Sequence, residues 1–243
     1  MFGRGNLNNT LFQSHYLLPF EKSKTLRLSL GRPSRSDLVL FQDNLERQIE
    51  VCGGRMRIGV IQASSQATKN KILYNAVTKY APKDSEVINF GCTLEEKENY
   101  SYIEISILVG MLLANRTVDF IVTGCSSGQG MMLACNSMPG VICGYAPTPK
   151  DAYLFAQINN GNAISLPLGE EYTWSGIDNL ERTVEALFSE PFGQGYPKSE
   201  ADRKIKDSEQ LKEIRKSGQI SMQELLNKLD ASLVNKLKNK MDF

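Results

Sequence analysis

From Met56 to about Gly195, short apolar runs alternate with longer stretches in which apolar residues recur every three or four positions. The runs Arg57–Gln62, Glu86–Phe90, Val118–Thr123, Val141–Tyr145 and Asn162–Pro167 predict strands. The stretches near Thr68–Tyr80, Ser101–Asn115, Gly130–Asn136, Pro149–Asn159 and Asp178–Phe188 predict helices, with Pro82-Lys83-Asp84 and Met138-Pro139-Gly140 supplying turn chemistry between elements. Repeated β-α units of this length imply a three-layer α/β/α, Rossmann-like, doubly wound parallel sheet of about five strands.

The pattern changes at both ends, dividing the chain into a segment 1–55, a core domain 56–196 and a tail 197–243. Lys198 to Phe243 is rich in Lys, Glu and Asp, with Leu211, Ile214, Leu225, Leu229, Leu233 and Leu237 near helical spacing. It reads as a C-terminal helical extension of two amphipathic helices, broken at Ser217-Gly218, that cover a surface of this chain or of a second subunit. Residues 1–55 carry eight basic and five acidic side chains and show no sustained periodicity before Leu38. Met56-Arg57-Ile58-Gly59-Val60-Ile61 opens a buried strand with no preamble, so Met56 is read as the natural start and 1–55 as an extension outside the core.

Composition removes several classes of function. Hydrophobic residues make up 41%, charged residues 23%, and the net charge is +1, which offers no field for nucleic acid or anionic lipid. The longest apolar stretch, Ile103 to Leu113, is too short to cross a membrane and is interrupted by Glu104, Ser106 and Gly110. The five cysteines form no Cys-x-x-Cys pair and the single histidine, His15, is far from all of them in sequence, so no metal site and no cofactor is expected. An odd cysteine count without a signal peptide fits a reducing cytoplasm.

The chemistry concentrates after the predicted third strand, where Gly124-Cys125-Ser126-Ser127-Gly128-Gln129-Gly130 runs into a helical pattern. Small residues at a strand end let backbone N–H groups converge, and the helix N-terminus adds positive potential, so the turn suits an anion. A thiol at its mouth has a stabilised thiolate, able to take a proton from carbon next to a carbonyl. Cys135 and Cys143 lie in an apolar helix and an apolar strand and read as core residues.

The loop Cys125 to Gly130, followed by Asn136, Pro139-Gly140, Ile158-Asn159-Asn160-Gly161-Asn162 and Gly169, resembles the ribose-5-phosphate isomerase B and galactose-6-phosphate isomerase family over roughly Met56 to Tyr196. The resemblance implies an aldose–ketose isomerase of a phosphorylated sugar, working as a homodimer or dimer of dimers. Cys125 would be the base, Ser126, Ser127, Gly128, Gln129 and Gly130 would hold the enediolate oxygen, and Asn159 and Tyr102 would contact substrate. Arg203, with Lys204 and Lys198, lies where the family draws its phosphate-binding arginines.

Two family features are missing. The Asp-His pair after the first strand is replaced by Gln62-Ala63-Ser64-Ser65-Gln66, leaving Ser64 as a neutral substrate contact, and the ring-opening histidine aligns with Ile158. Either another acid, for which Glu104 is the candidate, has taken over, or the substrate needs no ring opening, as with a tetrose 4-phosphate. A sugar-phosphate-binding protein that has lost catalysis is the alternative from a different class.

Overall fold

A computed structural model describes residues 55–241; the expectations for residues before Arg55 lie outside the described residues. The strands β1 (Arg57–Val60), β2 (Glu86–Asn89), β3 (Phe120–Cys125), β4 (Cys143–Tyr145) and β5 (Ala163–Pro167) form one sheet in the order β2-β1-β3-β5-β4. Every pairing is parallel. The expected five-stranded doubly wound sheet is therefore present.

Strand periodicity sorts side chains into two layers. Ile58 and Val60 of β1 join Phe120, Val122, Ile164 and Leu166 on one face, under α1 (Asn70–Tyr80), α4 (Pro149–Leu154) and α5 (Ile177–Leu187). On the other face Ile61, Ile121 and Ala163 meet Ile105, Leu108, Leu112, Met131 and Cys135, from α2 (Tyr102–Ala114) and α3 (Gln129–Asn136). Cys135 and Cys143 are both buried.

Helix α2 is apolar on nearly every side, which a helix sustains in water only when covered on both faces. The sheet covers one face and the tail the other. The predicted break at Gly218 is present, ending α6 (Ala201–Gly218), but the remainder forms two helices, α7 (Met222–Leu226) and α8 (Ala231–Met241), so the described tail has three. Asp230 separates them, its carboxylate accepting from Ser232 N at 2.8 Å at the start of α8. Met222 and Leu237 are buried, and Leu225, Leu226, Leu229 and Leu233 pack beside them onto the α2 layer. Gly110 permits the approach: a Cβ there would stand 3.0 Å from Met222 Sδ. The apolar side of α7 and α8 thus covers this chain's own core rather than a second subunit.

The turn after β1 is held by neutral amides in place of an Asp-His pair. Gln62, fully buried, donates to Cys92 O at 2.6 Å and accepts from Asn70 Nδ2 at 2.9 Å. Asn70 also exchanges hydrogen bonds with Asn89 at 3.0 and 2.8 Å, so one network ties β1, the start of α1 and the end of β2. Replacing Asn70 would strand the buried Gln62 carbonyl oxygen and remove the partner of the exposed Asn89 amide. Asn70→Ala is expected to lower unfolding free energy by about 1–3 kcal/mol, measured by urea denaturation against Asn227→Ala as an exposed control.

Candidate active site

The sheet reverses direction of travel between β1 and β3, since β1 is followed by β2 on one side and β3 lies on the other. The carboxyl ends of strands at such a switch point form a crevice. A cavity of about 720 Å³ opens there. Ser64 and Ser65 line it after β1, Cys125, Ser126, Ser127 and Gly130 after β3, Asn99, Tyr100, Tyr102 and Glu104 around the start of α2, and Tyr172 after β5.

The β3 turn is fixed from several sides. Gly128 takes φ +75°, and a Cβ there would lie 2.7 Å from the Tyr145 ring and 2.8 Å from Pro167 N. Its carbonyl accepts from the buried Ser165 hydroxyl at 2.7 Å. Leu168 N donates to Cys125 O at 3.0 Å and Gly169 N to Ser126 O at 2.9 Å, binding the turn to the chain leaving β5. From the β1 side, Gln66 Nε2 donates to Ser126 Oγ at 2.9 Å.

No side chain caps α3 at Gly128, whereas α2, α4 and α7 are capped by Ser101, Thr148 and Ser221. The first N–H groups of a helix have no partner within it. Gly130, in the first turn of α3, lines the cavity together with Cys125, an arrangement suited to charge building up on oxygen. Cys125 is 7% exposed and lines this cavity, so it is sheltered from bulk water without being sealed in the core.

Glu104 belongs to the opposite wall. Its Oε2 accepts from Ser101 N at 2.7 Å while its own N–H donates to Ser101 Oγ at 3.2 Å, a reciprocal cap at the start of α2. Its Oε1 accepts from Lys236 Nζ of α8 at 2.7 Å. Partial burial pushes its pKa up, but the Lys236 and Ser101 hydrogen bonds outweigh that and hold the carboxyl below its usual range. Glu104, expected as a stand-in for the ring-opening acid, therefore lines the cavity with both carboxyl oxygens engaged, one by Ser101 N and the other by Lys236.

The structure thus brings together Ser64, Tyr102, Glu104, Cys125, Ser126, Ser127 and Gly130, with Gly128 and Gln129 forming the turn beneath. Two expected contacts fall elsewhere. Asn159 ends the wide helical turn Phe155–Asn159 and lines a separate cavity of about 340 Å³ with Asp151 and Tyr145. Arg203, on α6, is exposed and paired with Glu200, just before the helix, at 2.8 Å and with Asp207, within it, at 3.0 Å. Sequence reasoning missed Asn99, Tyr100, Tyr172 and Lys236. Tyr100 had a usable signal, being adjacent to Ser101, where the predicted helix begins; Lys236 had none, because only packing brings α8 to this wall.

Among the described residues no helix is long and apolar enough to cross a membrane. The chain is 38% identical to a 4-deoxy-L-threo-5-hexosulose-uronate ketol-isomerase solved with a tartrate, at a TM-score of 0.71 over 75% of this chain and 86% of that one. It is 36% identical to a ribose-5-phosphate isomerase from Vibrio parahaemolyticus, at a TM-score of 0.70 over 75% and 87% of the two chains. A type B ribose 5-phosphate isomerase from Trypanosoma cruzi shares the fold at 21% identity and a TM-score of 0.56, over 68% of this chain and 99% of its own. No curated protein matches the sequence. The family model for ribose/galactose isomerases matches residues 58–205, which include both strand ends and the whole Cys125 turn, and the chain belongs to that family of isomerases.

Proposed function

We propose that the protein interconverts the aldose and ketose forms of an open-chain, anionic sugar derivative through a cis-enediolate, with Cys125 as the base. The observation that carries this reading is the Cys125 thiol lining a hydroxyl-rich cavity beside the uncapped start of α3. As the thiolate, Cys125 takes the proton from C2 of the aldose. The electron pair of that C–H bond forms the C1–C2 double bond, and the carbonyl oxygen becomes the enediolate oxygen facing the amides of Ser126 to Gly130. The O2 proton moves to O1 as C2 becomes the carbonyl, and the thiol returns its proton to C1.

No histidine is among the described residues lining the cavity, and the Lys236 and Ser101 hydrogen bonds hold the Glu104 carboxyl below its usual range, which favours a substrate that has no ring to open. A 4-deoxy-5-hexosulose uronate, the substrate class named for the 38% identical ketol-isomerase, has no hydroxyl on C4 or C5 to close a five- or six-membered ring onto C1. A tetrose 4-phosphate also satisfies the condition. The phosphorylated pentose suggested by the ribose-5-phosphate isomerase relative does not, and no lysine or arginine is among the described residues lining the cavity to clamp a phosphate. In a homodimer, a neighbouring copy would meet the exposed Tyr102, Ile103 and Tyr172 beside the cavity.

Incubation in deuterated water with a panel of 4-deoxy-5-hexosulose uronate, tetrose 4-phosphate, ribose 5-phosphate and a hexose 6-phosphate tests the reading. We expect deuterium to enter the C1 or C2 position of the uronate, with the tetrose phosphate second. Incorporation confined to pentose or hexose phosphates would overturn the open-chain assignment. No incorporation from any member would leave a binding protein without catalysis.

A further inference from the structure

We propose that Lys236 of the C-terminal helix α8 is a specificity-determining residue, which makes the cavity accept anionic substrates by masking the charge of Glu104. The inference rests on the isomerase reading and adds to it a role for the tail.

Glu104 is the one carboxylate among the described lining residues, and none of those residues is a lysine or arginine. Left alone it would give the wall a charge of the same sign as the substrate, in a crevice partly shielded from water where Coulomb terms are larger than in bulk. Lys236 cancels that charge from behind. Its Nζ donates to Glu104 Oε1 and to Asn99 O, each at 2.7 Å, and lies 5.1 Å from the centre of the Tyr100 ring. All three partners line the cavity, while Lys236 does not.

The placement of the ammonium is built into the fold. Leu237, next in sequence, is 1% exposed in the core beneath α2, and Leu233 packs beside it, so α8 is pinned at this level. The Glu104–Lys236 pair spans 132 positions of sequence, and its side chains are 15% and 33% exposed. A surface ion pair of ordinary exposure would be worth little. Here its consequence is the neutral wall rather than stability.

The test measures binding by NMR titration of two probes with the same four-carbon skeleton, tartrate, a dianion, and threitol, its neutral counterpart. In Lys236→Met, which keeps an apolar stem, tartrate is expected to bind about tenfold more weakly while threitol changes less than about twofold. Lys236→Arg should restore tartrate binding. The double variant Glu104→Gln with Lys236→Met should also return it to within about threefold of wild type, since both charges are then absent. Equal losses for tartrate and threitol would make Lys236 a support of the wall alone and overturn the proposal. So would wild-type tartrate binding that Lys236→Met leaves unchanged, an outcome that leaves the isomerase reading standing. Failure of the wild type to bind tartrate also overturns the proposal, whereas the isomerase reading is decided separately by deuterium incorporation.

Discussion

Cys125→Ala is expected to reduce deuterium incorporation into the substrate by at least about 10³-fold, because it removes the thiol proposed to take the proton from carbon. The change is small in every other respect. Cys125 is 7% exposed at the end of a fully buried strand, and alanine fills most of its volume without a new polar group. Its backbone carbonyl still accepts from Leu168 N, so the turn keeps its anchor. Tartrate affinity and the urea midpoint should therefore stay close to wild type while turnover disappears. Cys125→Ser is the sharper variant, since its hydroxyl occupies the same place but is a far poorer source of an anion near neutral pH, and it should be as inactive as alanine. Turnover within about tenfold of wild type in both variants would remove Cys125 from the mechanism. A matched loss of turnover and tartrate binding would instead assign it to binding.

The difference between a legible loop and an illegible wall has a physical origin. The Cys125 turn is a local feature: a strand, a run of small residues and a helix follow one another in sequence, so spacing alone places thiol and amides together. The strands were legible for the same reason, although the third was expected at Val118–Thr123 and is found at Phe120–Cys125. The shift follows β5, whose pairing carries β3 on through Gly124 and Cys125 opposite Leu166 and Pro167. The facing wall is not local. Lys236 reaches Glu104 and Asn99 only because α8 packs on α2, and no periodicity announces which of a tail's lysines will be buried against a partner. Asn159 and Arg203 were assigned by resemblance, and the described chain puts one at another cavity and the other in ion pairs on α6. Gln62 shows the opposite case. A polar residue ending a buried strand reads as a ligand contact, yet its amide donates to Cys92 O and accepts from Asn70 Nδ2.

Gly128→Ala is expected to cost about 3 kcal/mol of stability and about 10²-fold in turnover, a combination that separates collision from simple backbone strain. At φ +75° any side chain carries the left-handed penalty, of roughly 1–2 kcal/mol. The methyl would also press on Tyr145 Cε2 at 2.7 Å, Pro167 N at 2.8 Å and Leu166 C at 2.9 Å. Two of those atoms are backbone of β5, which lies between β3 and β4 inside the sheet and has nowhere to move. The turn must give way instead. Its displacement would break the Ser165 bond to Gly128 O and carry Cys125 and the first amides of α3 with it. Gly140→Ala is the control, because Gly140 has φ +74° but no atom within 4 Å of its missing Cβ. It should lose only the roughly 1–2 kcal/mol of strain and keep full turnover. Equal stability losses in the two variants, read from urea midpoints, would show that the turn absorbs the methyl. Unchanged turnover in Gly128→Ala would then mean that the position of the turn is not what holds the thiol in register with the substrate.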